Sequence, residues 1–564
     1  MINKESESLL SKLLLVGPAL VTLLVFTSGV TDPVNVNKLL ALGIIACASI
    51  ATLTLKSYRF IWFQHKLLVL MLFGFLMASI NSIIQSNSPL TQQLYGVYGR
   101  NNGFFLYLFL LLIFVATLAT TKISATRNIV FSLVVAGSVN IFYCGWVLAF
   151  GDFVGWTNPY GNILGTLGNP DFIGAFLGMF SAVLVSLAVA NFRNPKIFFV
   201  ISISFVVTCF EIIKSNAIQG RVLLVLGLVI NAFFFIRSRF KSQLPVIFFS
   251  AISALGGLVG LLGALQIGPL SRIIYKDSVS LRGEYWHAGL NMAKTHLFSG
   301  VGFDSYGDWY RLSRRASALV RPGPETVSNA AHNVLIDIFA FGGLPLLIFY
   351  LAIVGIVFHS IIRYALSNQE FDYLFVSLVG SWLCFQLQSV ISINQIGLAL
   401  WGWVLGAAIV SYERNKRKVF TPEPTKSKLV KSTSSEVISP NLRAGVALVL
   451  SVFIAVPPFA ADVKWRSGQV SQDVVKIEAV LTPSYFNPES TYKYLQIVGA
   501  FEQSGLTELA HKYTLAAVKF NPHSYESWRL FTLIRSATPE EKQVALRKMK
   551  DLDPKNPNIV LGIK

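Results

Sequence analysis

The chain has 564 residues, of which 53% are hydrophobic and only 13% charged, and it carries a net charge of +19. Soluble domains carry about 25% charged residues, so this composition excludes an ordinary soluble globule and points to a membrane protein. The excess of Lys and Arg reads as loop charge under the positive-inside rule, not as a nucleic-acid surface.

Apolar runs of roughly 17 to 25 residues are long enough to cross a bilayer as helices. In chain order they fall near 13–30, 39–55, 67–84, 104–120, 129–150, 172–191, 197–213, 221–237 and 245–267. After a long polar stretch come 333–359, 372–390 and 396–412, and a thirteenth run occupies 444–461. The opening MINKESESLLSK is short and mixed in charge, and its apolar run lacks a small-residue cleavage site. It is expected to remain as the first spanning helix. The expected fold is all-α: a polytopic membrane bundle of about 12–13 transmembrane helices, followed by a C-terminal extracytoplasmic α-helical repeat domain. Cys47, Cys144, Cys209 and Cys384 all lie inside apolar runs. Their spacing suits neither a metal site nor a disulfide framework.

With the N-terminus inside, the short inner loops hold 13 Lys and Arg residues and the short outer loops 4, namely Lys38, Arg100, Lys214 and Arg221. This bias predicts a multi-pass protein of the cytoplasmic membrane. The predicted domains are a multi-spanning domain at 1–412 with a large outer loop at 268–331, a basic cytoplasmic linker at 413–443, one more helix at 444–461, and an outer region at 462–564. In that last region Asn487-Pro488, Asn521-Pro522 and Asp553-Pro554 close similar stretches, 34 and then 32 residues apart. Two amphipathic helices joined at Gly505 fill the first interval, a pattern that resembles tetratricopeptide repeats. Two or so units fall short of the three such repeats need, so support from the membrane domain and a role in binding a protein partner are expected.

Ionisable residues at membrane helices are costly and mark candidate sites. Arg221, in "SNAIQGRVLLVLGLV", opens a predicted outer helix, where a guanidinium and backbone donors suit a phosphate. Arg282, in "SLRGEYWHAGLNMAKTHLFSGVGFDSY", sits on a predicted amphipathic interfacial helix with Tyr285 and Trp286, followed by a "GVGF" turn. His332, in "SNAAHNVLIDIFAFGGLPLL", precedes a spanning helix whose dipole disfavours imidazolium. A neutral imidazole there suits a general base, and Asn333 is expected to orient it or a sugar hydroxyl. Of the seven histidines, His65 and His359 fall inside and His511 and His523 in the repeats, while His287 and His296 share the outer loop. Arg100, Asn101, Asn102, Asn169 and Asp171 are candidate sugar or phosphate contacts, or simply turn residues. Asp32, Glu284 and Asp304 are alternative outer bases. The single D-x-D, Asp551 and Asp553, ends a repeat and is expected to be structural. Neither a Cys/His metal spacing nor a nucleotide-binding "GxxxxGK" occurs.

The segment "AHNVLIDIFAFGGLPLL" resembles the His-Asn signature of the superfamily of O-antigen ligases, Wzy-type polysaccharide polymerases and pilin oligosaccharyltransferases. "QGRVLLVLGL", "LRGEYWHAGLNMAKTHLFSGVGFDSY", "GTLGNPDFIGAF" and "YGRNNGFFLYL" support it, over about 90–412 of the chain. The resemblance implies a membrane glycosyltransferase of the GT-C type that takes a glycan from a polyprenyl-diphosphate carrier, such as undecaprenyl diphosphate, to a glycan, lipid or protein acceptor. It implies that Arg221 and Arg282 bind the diphosphate and that His332 activates the acceptor hydroxyl. No cofactor or metal is implied, and the anomeric centre inverts. Relatives often carry an acid nine residues after the His, where this chain has Phe341; the nearest acid, Asp337, lies on another helical face. A lipid-linked glycan transporter and a membrane-anchored repeat scaffold are the competing readings. Polar helix centres and internal membrane repeats, which a transporter predicts, are few and absent respectively.

Overall fold

The computed structural model describes residues 4–275, 277–420, 438–471 and 473–559. Among them helix dominates, and the only β contact is an isolated bridge between Ser484 and Asn487. The first nine apolar helices are α1 (Lys4–Leu23), α2 (Asn35–Ala51), α3 (Leu55–Gln85), α4 (Phe104–Leu118), α5 (Ile123–Phe150), α6 (Pro170–Asn191), α7 (Pro195–Lys214), α8 (Ile218–Arg239) and α9 (Leu244–Ala264). The long polar stretch folds into helices of its own, the largest being α10 (Asp277–Thr295). Then follow α11 (Val334–Ser367), α12 (Tyr373–Ile391), α13 (Ile396–Phe420) and α14 (Pro440–Ser471). Eleven of these are long and apolar enough to cross a membrane, and α2 and α4 are shorter apolar helices. Each of the thirteen expected runs therefore overlaps one of these helices, the first run overshooting α1 by seven residues, and the chain is a multi-pass helical membrane protein. Most of the basic linker, 421–437, lies outside the described residues.

The centre of the bundle is formed by α4, α6, α12 and α13, whose faces hold Phe109, Phe176, Trp382 and Trp401 with almost no exposure. Lipid tails are as apolar as Leu, so helices in a bilayer associate through close packing, not through the hydrophobic effect. The α6–α8 contact shows how: a Cβ on Gly220 would sit 2.8 Å from the Gly174 carbonyl oxygen, so small residues let the two backbones touch. By contrast α7 and α9 leave Phe199, Phe210, Phe248 and Leu255 exposed, as lipid-facing helices do.

The loop after α10 explains the site's depth. Helix α11 breaks at Gly342 and Gly343, which leave helical geometry, and its freed carbonyls find partners in the "GVGF" segment. Val301 N donates to Ala340 O at 2.8 Å and Gly302 N to Phe341 O at 3.1 Å, while Leu344 N donates to Leu297 O at 2.7 Å. Any Cβ at Gly300 would fall 2.2 Å from Phe341 O, so the approach requires glycine. The expected turn is thus a clasp that seats the large loop on the kinked helix.

The C-terminal region forms two helical hairpins, α15 (Thr491–Gln503) with α16 (Thr507–Phe520) and α17 (Tyr525–Leu533) with α18 (Pro539–Leu552). They share a small core of Tyr494, Val498, Phe501, Ala517 and Phe531. The support expected from the membrane domain comes from the 268–331 loop. Arg314 Nη2 meets Asp553 Oδ2 at 2.5 Å and Arg311 Nη2 meets Glu526 Oε1 at 2.8 Å. Trp309 stacks on His523 at 4.8 Å, and Tyr98 on Tyr492 at 4.3 Å.

Candidate functional site

The segment before α11 is fixed from both ends. Asn333 caps the helix, its Oδ1 accepting from Leu335 N at 3.0 Å and Ile336 N at 3.3 Å. Asp337, one turn in, accepts from Ala331 N at 2.7 Å. Between these two anchors His332 adopts φ +55°, a conformation that costs a non-glycine residue on the order of 1 kcal/mol. Of the five such residues among those described, three belong to this neighbourhood: Asn101, Asp304 and His332. Strain concentrated in one place is a mark of a functional site.

The imidazole lies half-buried, its ring centroid 5.7 Å from that of Tyr285. Among the described residues none forms a hydrogen bond with its ring nitrogens. Burial first, then the charges of Arg282 and Arg100, pull its pKa down to about 4. His332 is therefore neutral at pH 7, as expected, but the dominant cause is desolvation with two flanking cations, and the helix cap itself is Asn333. Among the described residues no acid orients the ring. Asp337 grips the backbone one residue earlier, and position 341 is a core Phe packed 5.9 Å from Phe303 where α11 breaks.

Arg282 is carried by α10, which is not a free interfacial helix. Its Ala288, Met292 and Ala293 are fully buried, and a Cβ on Gly289 would meet Ile336 of α11 at 2.5 Å. Burial lowers the Arg282 pKa, with the carboxylate of Asp171 opposing it. Asp171 follows Asn169, the N-cap of α6, whose Oδ1 accepts from Asp171 N at 2.8 Å and whose Nδ2 donates to Tyr160 at 3.1 Å. Gln219 of α8 donates to the Asp171 carbonyl. Arg221, two residues further on, is exposed in the first turn of α8. The charges acting on His332 are those of Arg282 and Arg100, so the structure gathers these three and leaves Arg221 at the rim.

Arg100 donates to the Asn329 carbonyl, and its Nη2 lies 3.7 Å from Asp304 Oδ1. Its Nε and Nη2 are buried without hydrogen-bond partners, as are Asn101 Oδ1 and Asn102 Oδ1. Buried polar atoms left unpaired are rare in proteins and call for a ligand or water. The three alternative bases are engaged elsewhere. Asp304 accepts from Val97 N at 2.7 Å and Asn102 N at 3.3 Å, clamping the Arg100 loop. Asp32 accepts from the first amides of α2, at 2.9 Å from Val34 N and 3.0 Å from Asn35 N. Glu284 pairs with Arg315 at 2.7 Å. Asn333, spent as a cap through its oxygen, acts as a positioning residue. Sequence reasoning named Asp304 as an alternative base and Tyr285 as an aromatic anchor, whereas here Asp304 clamps the Arg100 loop and Tyr285 stands beside the His332 ring.

Kinked membrane helices, a docked loop and a strained histidine between two arginines define a multi-pass membrane protein with a cationic site at one end of its bundle. Residues 218–351 match a family model described as O-Antigen ligase. That stretch contains Arg221, Arg282, His332 and Asp337, and the match supports a likeness of this part of the chain to the O-antigen ligase and Wzy superfamily of membrane glycan-transferring proteins. Arg100 and Asn169 lie outside it. No curated protein matches the chain.

Proposed function

We propose that the chain is an inverting membrane glycosyltransferase, an O-antigen ligase or polysaccharide polymerase. It moves a glycan from a polyprenyl-diphosphate carrier to an acceptor hydroxyl on the outer side of the cytoplasmic membrane. The observation that carries this reading is the neutral His332 imidazole with free ring nitrogens, held between Arg282 and Arg100. In the proposed step the acceptor oxygen attacks the anomeric carbon as its proton passes to His332. The bond from that carbon to the diphosphate oxygen breaks on the opposite face, and the leaving diphosphate takes the electron pair. Arg282, with Arg221 at the rim, stabilises the charge that develops on it. These guanidinium groups would do the work a divalent cation does elsewhere.

The arginines also set the timing. They weaken His332 as a base while the site is empty, whereas a bound diphosphate offsets their charge and raises its proton affinity. Base strength would then appear only when the donor is in place. The repeats dock on the loop that also carries Arg282, which supports their standing on the same outer side. There, as a tetratricopeptide-like unit, they would recruit an acceptor or partner protein.

The test uses purified protein in lipid nanodiscs with a lipid-linked oligosaccharide donor and a glycan acceptor. His332→Ala should lower transfer by about 10²–10⁴-fold, the range of general-base catalysis, with an unchanged thermal unfolding profile. Full transfer by that variant would sink the assignment, and loss of wild-type transfer on chelation would sink the metal-free step. Donor flipping without a new glycosidic bond would favour a transporter.

A further inference from the structure

A second feature adjoins this site and has no part in the step above. A cavity of about 520 Å³ opens between the α1–α2 turn, the 155–169 segment and the end of α14. Its lining includes Asn35, Gly99, Trp156, Asn169 and Arg466. Two of these walls lead into the site. Gly99 precedes Arg100, and its carbonyl accepts from Asn35 Nδ2 at 2.7 Å. Asn169 caps the helix whose Asp171 faces Arg282. The volume falls within the range of clefts that hold small organic ligands, about 300–1,000 Å³.

Its chemistry suits a saccharide. Trp156 is half-buried and held by its edge, Nε1 donating to Asp152 Oδ2 at 2.6 Å. No other aromatic ring stacks on it among the described residues. An indole face accepts the C–H face of a pyranose, while amides and hydroxyls at the walls serve its hydroxyl groups. Charge refines the choice. Asp32 at the rim is committed to the amides of α2, whereas the exposed Arg466 has no ion-pair partner among the described residues. The uncommitted charge is positive.

We propose that this cavity is the acceptor subsite and that it takes the terminal sugars of an acidic saccharide, with the reactive hydroxyl directed past Arg100 to His332. This rests on the transferase reading for its purpose but not for its binding chemistry. It also gives α14 a role beyond anchoring the repeats.

The full chain in lipid nanodiscs is titrated calorimetrically with a galacturonate hexamer and with maltohexaose, at low and high salt. Both should bind, the acidic hexamer more tightly at low salt. Trp156→Ala should weaken both at least about tenfold, Trp156→Phe should retain binding, and Arg466→Ala should abolish the preference for the acidic hexamer. The proposal is overturned if the wild-type chain binds neither hexamer or if Trp156→Ala leaves both affinities unchanged. An acid preference that survives Arg466→Ala overturns the charge assignment. The same titration with His332→Ala protein separates the two ideas. Binding there is expected intact, so a failed transfer assay leaves this result standing, and a failed titration leaves the base assignment standing.

Discussion

Two groups of arginines in this molecule, one buried and one half-buried, have opposite surroundings. At the junction with the repeats, Arg311 and Arg314 converge on Asp553, and Arg311 also takes Glu526 and lies 4.0 Å over the Tyr525 ring. Each guanidinium there has a carboxylate within 3.3 Å, although Arg311 Nε, Arg314 Nε and Asp553 Oδ1 form no hydrogen bond. Around His332, Arg100 meets a carbonyl and a carboxylate already occupied by backbone amides, with two of its nitrogens unpaired. Arg282 has only the nearby charge of Asp171. A buried ion pair that is complete holds surfaces together, whereas cations left incomplete at a cavity retain their attraction for an anion from outside. The first arrangement is a joint and the second is the proposed receptor.

The largest test of that contrast is at the joint. Asp553→Ala strands the fully buried Arg314 and leaves Arg311 with Glu526 alone at close range, and breaking a buried pair this way costs about 3–5 kcal/mol. It should appear as a lower thermal midpoint and faster proteolytic release of the repeats, with donor binding unchanged. At the receptor, Arg282→Ala should leave the thermal midpoint nearly intact and lower transfer by about 10²–10³-fold, the scale of one lost electrostatic stabiliser. Arg282→Lys should recover only part of this, since an ammonium lacks the planar fork. Asp337→Leu sits between the two kinds. It leaves the Ala331 N–H unpaired at a cost of about 1–3 kcal/mol, and it should reduce kcat more than it raises acceptor KM.

The smallest expected effect is on pH dependence. With His332 at about 4, the acid limb of kcat/KM should lie well below 6.5, since that parameter reports the free enzyme. Arg282→Ala should move it upward, though not to 6.5, because burial is the larger cause. Stability carries the same sign. Between about 4 and 6.5 the unfolded chain holds the proton more readily, so this residue's contribution falls as pH drops through that window. Arg282→Ala should flatten that slope.

The thirteen helices were legible because a bilayer demands a fixed length of apolar sequence, and each overlaps the run that hydropathy marked, with ends that differ by up to a dozen residues. In the C-terminal region helix starts at Thr491 and Tyr525 are 34 residues apart, the same interval as between the first two Asn-Pro pairs. His332 and Arg282 stood out because charge at a membrane helix is expensive. The contacts that make them a site were not legible. Asp304 clamps a loop some two hundred residues earlier, and the 297–302 clasp closes a kink that the local sequence shows only as paired glycines. Tyr285 looked like one aromatic anchor among several. Asn333 read as a substrate contact, and the cap geometry that commits its oxygen depends on where the helix begins. Pairings across such separations are set by packing, which leaves no mark in a local pattern.

The central claim is that burial, reinforced by two arginines, keeps His332 a weak base until an anionic carrier arrives. It is tested most directly by following the histidine ring resonances of the ¹³C-labelled full chain through a pH titration, assigned with His332→Gln, with and without farnesyl diphosphate as the probe. The expected result is titration near 4 in the free protein and a clear rise in proton affinity with the diphosphate bound. Titration near 6.5 that ignores the diphosphate would contradict it.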